Sequence, residues 1–210
     1  VKLSFCFLLI LSFAVRAAGP AKEQKPEPSG EKPEEVAHTY IRAMADLHLN
    51  VVADSMHPSA LDAFQKILGG IADGIAAAPT DRKPPEKMVD ALFGDKGLAT
   101  IKTDSARDVF VRFMSNLTTF VPQIREMTAG SEYQVLGHVD EGDLAHVVFR
   151  ATLRRGEVSM TKMDVLTLKR AGDSWKVLLT DELATIVSGL GRQLVNPPPP
   201  KAATPAPAQK

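Results

Sequence analysis

The chain has 210 residues, with 25 basic and 25 acidic side chains, 44% hydrophobic residues and a single cysteine. A formal charge of zero leaves no basic excess for a phosphate backbone, which speaks against nucleic acid as a partner. One cysteine cannot close an intrachain disulfide, so the apolar material, ample for one core, must hold a globular middle by packing alone.

Lys2 precedes an apolar run over residues 3–15, too short to span a bilayer but suited to the hydrophobic segment of a secretory leader. Val15 and Ala17 are small residues at cleavage spacing, so a signal peptide is expected over 1–17 with Ala18 as the mature start. Its loss leaves 23 basic against 25 acidic residues and takes Cys6 with it. The expected location is therefore exported, periplasmic or extracellular, with no integral membrane segment after cleavage. Residues 18–32 are a Pro/Glu/Lys linker with nothing to bury, and 196–210 form a Pro/Ala tail of the same kind. One domain is expected between them, over 33–195.

Pro33 at a first helical position, with Glu34 and Glu35 behind it, opens a helix. Val36, Tyr40, Ile41, Met44, Leu47, Val51 and Val52 carry its apolar stripe until His57-Pro58 breaks it. Ser59 can cap a second helix along Leu61, Phe64, Ile67, Leu68 and Ile71, weakened by Gly69, Gly70 and Gly74. Residues 79–85 read as loop and 87–93 as a short helix. Ser105 with Asp108 three residues on marks a further start. Its stripe of Val109, Phe110, Phe113, Met114, Leu117, Phe120 and Val121 is expected to lie against the strands that follow. A last short helix is expected over 181–194.

Residues 131–180 read as four strands in a meander. Gly142, Gly156 and Gly172 sit in the turns, and Val, Phe, Thr, Tyr and Trp dominate between them. Alternation puts Tyr133, Val135, Gly137 and Val139 on the core side with Ala145, Val147, Phe149, Ala151 and Leu153, extended by Trp175, Val177 and Leu179. The opposite face, with Leu136, His138, His146, Val148 and Arg150, is half apolar, which suggests a cover such as a second copy of the chain. An Arg155-Gly156 turn pairs Leu153 with Val158, Phe149 with Lys162 and Val147 with Asp164. Lys162 and Asp164 then point inward, whereas a one-residue change of register sends both outward.

Helices first, then a long antiparallel meander ending on a Trp strand: this order resembles the NTF2-like (ketosteroid isomerase/SnoaL-like) superfamily. The residues that carry it run from Ala45-Asp46-Leu47 to Met56-His57-Pro58, and from Asp164-Val165-Leu166 through Lys169 to Ser174-Trp175-Lys176-Val177. The resemblance implies an α+β fold in which N-terminal helices pack in the concave face of a curved antiparallel sheet, a cone-like α+β roll, with a pocket inside and often a dimer through the outer face. Tyr40, Phe149, Lys162, Asp164 and Trp175 are the pocket candidates it implies. His146, Val148, Arg150, Met163 and Val165 are the dimer-face candidates. Residues 69–103 are longer than that pattern expects, and its early hairpin is not readable there.

Fold does not fix function, so three readings stand. The first is an exported, non-catalytic binding module for a small apolar ligand or an envelope partner protein. The second is a pocket enzyme, isomerase- or dehydratase-like, with Asp164 as general base and Tyr40 as donor. The third is a homodimeric structural module. His138 and His146 on one sheet face lack a third ligand, so no metal is expected, and no motif implies a cofactor.

Overall fold

The computed structural model describes residues 31–95, 97–128, 131–155 and 158–195. The expected leader, the linker up to residue 30, the 156–157 turn and the tail lie outside the described residues. What is described is α+β: seven helices and a four-stranded antiparallel sheet in the order β1-β2-β3-β4.

Helix α1 (Pro33–Ala45) begins where expected, since proline gives up no intrahelical hydrogen bond at its first position. It does not run on to residue 52. Leu47 takes a left-handed φ of 56°, a conformation that costs a side-chain-bearing residue roughly 1 kcal/mol. The chain then restarts as α2 (Leu49–Ser55), and the break lets Leu49, Val52 and Ala53 turn into the core. At the next junction His57, not Ser59, is the cap. Its ring Nδ1 accepts the Ser59 backbone N–H at 3.1 Å, ahead of Pro58.

Helix α3 (Pro58–Ala77) continues through all three glycines that were expected to weaken it. The reason lies in α7 (Asp181–Val195), which packs along it. A Cβ on Gly74 would meet Val195 at 2.8 Å, and one on Gly191 would meet Ile71 at 2.5 Å. Helix propensity is given up there for close approach of two backbones. Two short 3₁₀ turns and α4 (Glu86–Phe93) fill residues 80–100, where no early hairpin forms.

Ser105 caps α5 (Ala106–Phe120) by accepting the Asp108 N–H at 3.1 Å. This helix packs chiefly on α2, α3 and α4 rather than on the meander. Its aromatic residues find partners there: Phe110 and Phe113 lie edge-on to Phe64 of α3 at 4.9 and 5.8 Å, and Phe113 reaches Phe93 of α4 at 5.5 Å. Such contacts add to simple burial. Pro122 opens a further short helix, α6 (Pro122–Thr128). The sheet instead receives α1, which touches all four strands.

The strands are β1 (Glu132–Glu141), β2 (Leu144–Arg155), β3 (Val158–Ala171) and β4 (Ser174–Val177). Arg155 pairs with Val158, so Leu153 faces Met160, Ala151 faces Lys162 and Phe149 faces Asp164. The register differs from the expected one by two residues, and an even shift keeps Lys162 and Asp164 on the helix side. On β1 the correction is larger. A bulge between Val135 and Gly137 inserts one residue, so Val135 pairs with Phe149 but His138 pairs with Val147 and Val139 with His146. Tyr133 and Val135 therefore face the core as expected, whereas Val139 turns outward and is 63% exposed. His138, expected outside, turns in.

The close α3–α7 contact gives a paired prediction. Gly191→Ala should cost about 1–3 kcal/mol by overpacking against Ile71, whereas Gly70→Ala, exposed with open space above it, should stabilise by about 0.5–1 kcal/mol. Urea unfolding of the two variants beside the parent chain measures both.

Candidate functional site

The residues expected to line an interior pocket are not gathered around one. Tyr40, Phe149 and Trp175 are packed in the core, and the Arg170 guanidinium covers the Trp175 ring at 4.4 Å. Lys162 and Asp164 lie on the helix side of β3, across from Ala151 and Phe149. The ammonium of Lys162 donates to Asp164 Oδ2 at 2.9 Å and lies 3.5 Å from Glu182 of α7, and each side chain of the pair is about one-third exposed. Burial pulls the Lys162 pKa down, but the Asp164 hydrogen bond and the Glu182 charge outweigh it and hold it above its ordinary value. Tyr40 has no such compensation: burial alone pushes its phenol up to about 12.

Described residues line at least two cavities. One is a void of about 10 Å³ among Leu68, Phe93, Ile101, Val109, Arg112 and Phe113. Another is an open groove of about 480 Å³ between the first turns of α1 and the β1 bulge, lined by Glu34, Glu35, His38, Thr39 and Val135–Gly137. Neither is lined by Tyr40, Phe149, Lys162, Asp164 or Trp175.

At the groove the bulge builds a cluster that alternation alone misses. His138 Nδ1 lies 2.5 Å from Glu34 Oε1, and its Nε2 lies 3.4 Å from Asp140 Oδ2. Burial alone would raise the Glu34 carboxyl, but the His138 hydrogen bond, with help from its own backbone and Lys32, holds it below the usual value. Burial likewise opposes charge on His138, and the two carboxylates override it to raise the imidazole. While it is charged, with an N–H directed at each carboxylate, the ring has no lone pair to offer as a base or a metal ligand. Gly137 is the signal that could have found this cluster. A glycine within a strand marks a bulge, and here its φ is 151°, where side chains are strained.

The outer sheet face holds His146, whose Nε2 meets Glu141 Oε2 at 3.1 Å and whose Nδ1 meets the Thr167 hydroxyl at 3.1 Å. His138 and His146 are thus on opposite faces and cannot share a metal. Val148 sits directly across from Val165, and Arg150 from Met163. The pairing puts His146, Val148, Arg150, Met163 and Val165 on one face of the sheet, where Met163 and Val165 are 63% and 49% exposed. Among the described residues no helix is long and apolar enough to cross a membrane, and no three His, Cys, Asp or Glu residues are placed to hold a metal ion.

No family model matches this chain, and no curated protein matches it. Among solved structures, the crystal structure of TerC co-crystallized with polyporic acid aligns with a TM-score of 0.31 and 13% identity, covering 77% of this chain and 96% of that one. A likeness of that size carries no argument about fold or function.

Two outcomes follow from the placement of the pocket candidates. Asp164→Asn should change the unfolding free energy by less than about 1 kcal/mol, because a pair about one-third exposed is worth little and Lys162 keeps Glu182; chemical denaturation checks it. In a Tyr133→Phe chain, where Tyr40 is the one tyrosine left, phenolate absorbance should emerge only near pH 12. A raised phenol stabilises below its unfolded value of 10.0 and loses that contribution as the pH climbs toward 12.

Proposed function

We propose that this chain is an exported, non-catalytic binding module of the NTF2-like kind that works through its outer sheet face, by joining a second copy of itself. The observation that carries the reading is the apolar strip of Val139, Met163 and Val165 on the outer face, 63%, 63% and 49% exposed, with Val148 half-buried between them. A soluble monomer seldom leaves an apolar patch of that kind contiguous and open. Export rests on Lys2 and the apolar run over residues 3–15.

A small apolar ligand fits less well. The void beside Phe93 and Phe113, of about 10 Å³, is at or below the room for one water, and the pocket candidates Tyr40, Phe149 and Trp175 are themselves packed in the core. Against the enzyme reading stands the state of its two candidates. A carboxylate base gains strength from a dry site, yet Asp164 is solvated and bound to Lys162, and the phenol of Tyr40 is packed in the core.

Size and charge both suit self-association. Strands β1, β2 and β3, of 10, 12 and 14 residues, make a footprint on the order of 500–600 Å² at ordinary strand rise and spacing. With side chains counted, the accessible area is on the order of the 800 Å² per partner that a stable interface buries. Val148 and Val165 lie side by side at the middle of this face, with Arg150 two residues to one side and His146, holding Glu141, two residues to the other. A two-fold axis across the strands through the valines stacks each valine on its own copy. It also carries Arg150 over the partner's Glu141 and His146, opposite charges meeting.

Sedimentation velocity of the exported chain at micromolar concentration is expected to show a dimer. Val165→Asp should weaken it at least about tenfold while leaving the thermal midpoint of the monomer in place. A strict monomer for the parent chain would reject the reading.

A further inference from the structure

The contact between α1 and the β1 bulge is built from groups that need one proton to be compatible. Glu34 Oε1 and Asp140 Oδ2 approach the two nitrogens of one ring, and a neutral imidazole carries only one N–H. Whichever nitrogen lacks the proton then confronts a carboxylate, lone pair to lone pair. The second oxygen of Glu34 sharpens this. It is buried and, among the described residues, has no hydrogen-bond partner. That oxygen is shut off from water although the Glu34 side chain as a whole is about one-third exposed, and once the ring loses its charge, hydration of Glu34 competes with the contact.

We infer that Glu34, His138 and Asp140 form a proton-operated latch, which pins the first turn of α1 to β1 while the imidazole is charged and releases it when that charge is lost. The ionisable groups around the ring are few. From α1 it faces Glu34, with Glu35 and His38 lining the same groove and Lys32 acting on Glu34 from the preceding residue. From its own strand it faces Asp140. The β2 residue opposite is Val147, flanked on that face by Ala145 and Phe149, and carries no charge. Release matters beyond the cluster because α1 touches all four strands, so loosening its start exposes the end of the helix–sheet seam.

The direction is set by the two shifts. A raised imidazole contributes stability that is complete below its unfolded value of 6.5 and is lost as the pH rises through its folded value. A lowered carboxyl contributes above 4.5 and is lost as the pH falls through its own folded value. The latch is therefore shut between about pH 4.5 and 6.5 and opens on the alkaline side through His138.

Amide hydrogen exchange of the full chain, corrected for the intrinsic pH dependence of exchange, reads the latch directly. In the parent protein the opening constant of the α1 amides should rise as the pH is taken from 6 to 9, by about tenfold for each unit that the cluster raises the imidazole. In His138→Gln that local rise should vanish, while His38→Gln, a histidine of the same helix outside the cluster, should keep it. Should His138→Gln fail to fold, Asp140→Asn, an exposed position, provides the second arm: the His138 ring, followed by NMR, should titrate at lower pH than in the parent. Parallel exchange profiles for the parent and His138→Gln, or an unchanged His138 titration in Asp140→Asn, would overturn the latch.

Discussion

The seat of α1 on the sheet is the constraint from which the rest of the domain follows. The helix has one apolar stripe, Val36, Ala37, Tyr40 and Ile41, and each larger side chain of that stripe contributes roughly 1.5–3 kcal/mol when buried. Only a surface as broad as the four strands covers that stripe along its length. Once α1 occupies the sheet, α5 with its phenylalanines must bury them elsewhere, and it does so among α2, α3 and α4. The glycines of α3 and α7 follow from the same crowding, since a second helical layer closes only if two backbones come within reach of each other.

The β1 bulge ties this seat to both surfaces. One inserted residue reverses the facing of everything after it, so His138 turns toward α1 while Val139 is turned out beside His146. The charged contact at the start of α1 and part of the exposed apolar face are thus two consequences of a single backbone feature. Gly137, at a φ of 151°, permits it. A side chain there would be strained in that conformation, and relaxing it by removing the bulge would exchange the two faces of residues 138–141.

Much of the fold was legible because its signals were local. Pro33, Ser105 with Asp108 and the turn glycines Gly142 and Gly172 each act within three or four residues, and the element ends they mark stand where they place them. What was not legible depended on partners remote in sequence. Nothing near Leu47 announces a left-handed residue, and Gly74 reads as a weak point until Val195 is seen against it. The candidate site shows the same division. A two-residue turn at Arg155-Gly156 put Lys162 and Asp164 on the helix side but left an outward register open; the observed pairing differs by two residues, and only because that difference is even do they lie on that side. Parity decides the side and the length of the cover decides burial: toward the β2–β3 turn Met160 is 51% exposed, so an inward direction there still meets water. Glu34 and His138 are 104 residues apart, and a one-residue bulge was needed to bring them together.

The edges of the sheet bear on why its face is the surface proposed for self-association. At the β4 edge the His57 N–H donates to Val177 O at 2.8 Å and Met56 bridges the same residue, so the α2–α3 junction already occupies that rim. At the β1 edge the ladder is interrupted by the bulge and flanked by Glu132, Asp140 and Glu141. Bulges and charges of this kind prevent a foreign strand from continuing a sheet. Strand addition is thus disfavoured along β4 and along β1, while among the described residues no helix packs over the apolar residues of the outer face. A surface that is guarded against edge pairing yet left apolar across its middle is consistent with packing face to face, sheet on sheet, where twist rather than hydrogen bonding sets the geometry.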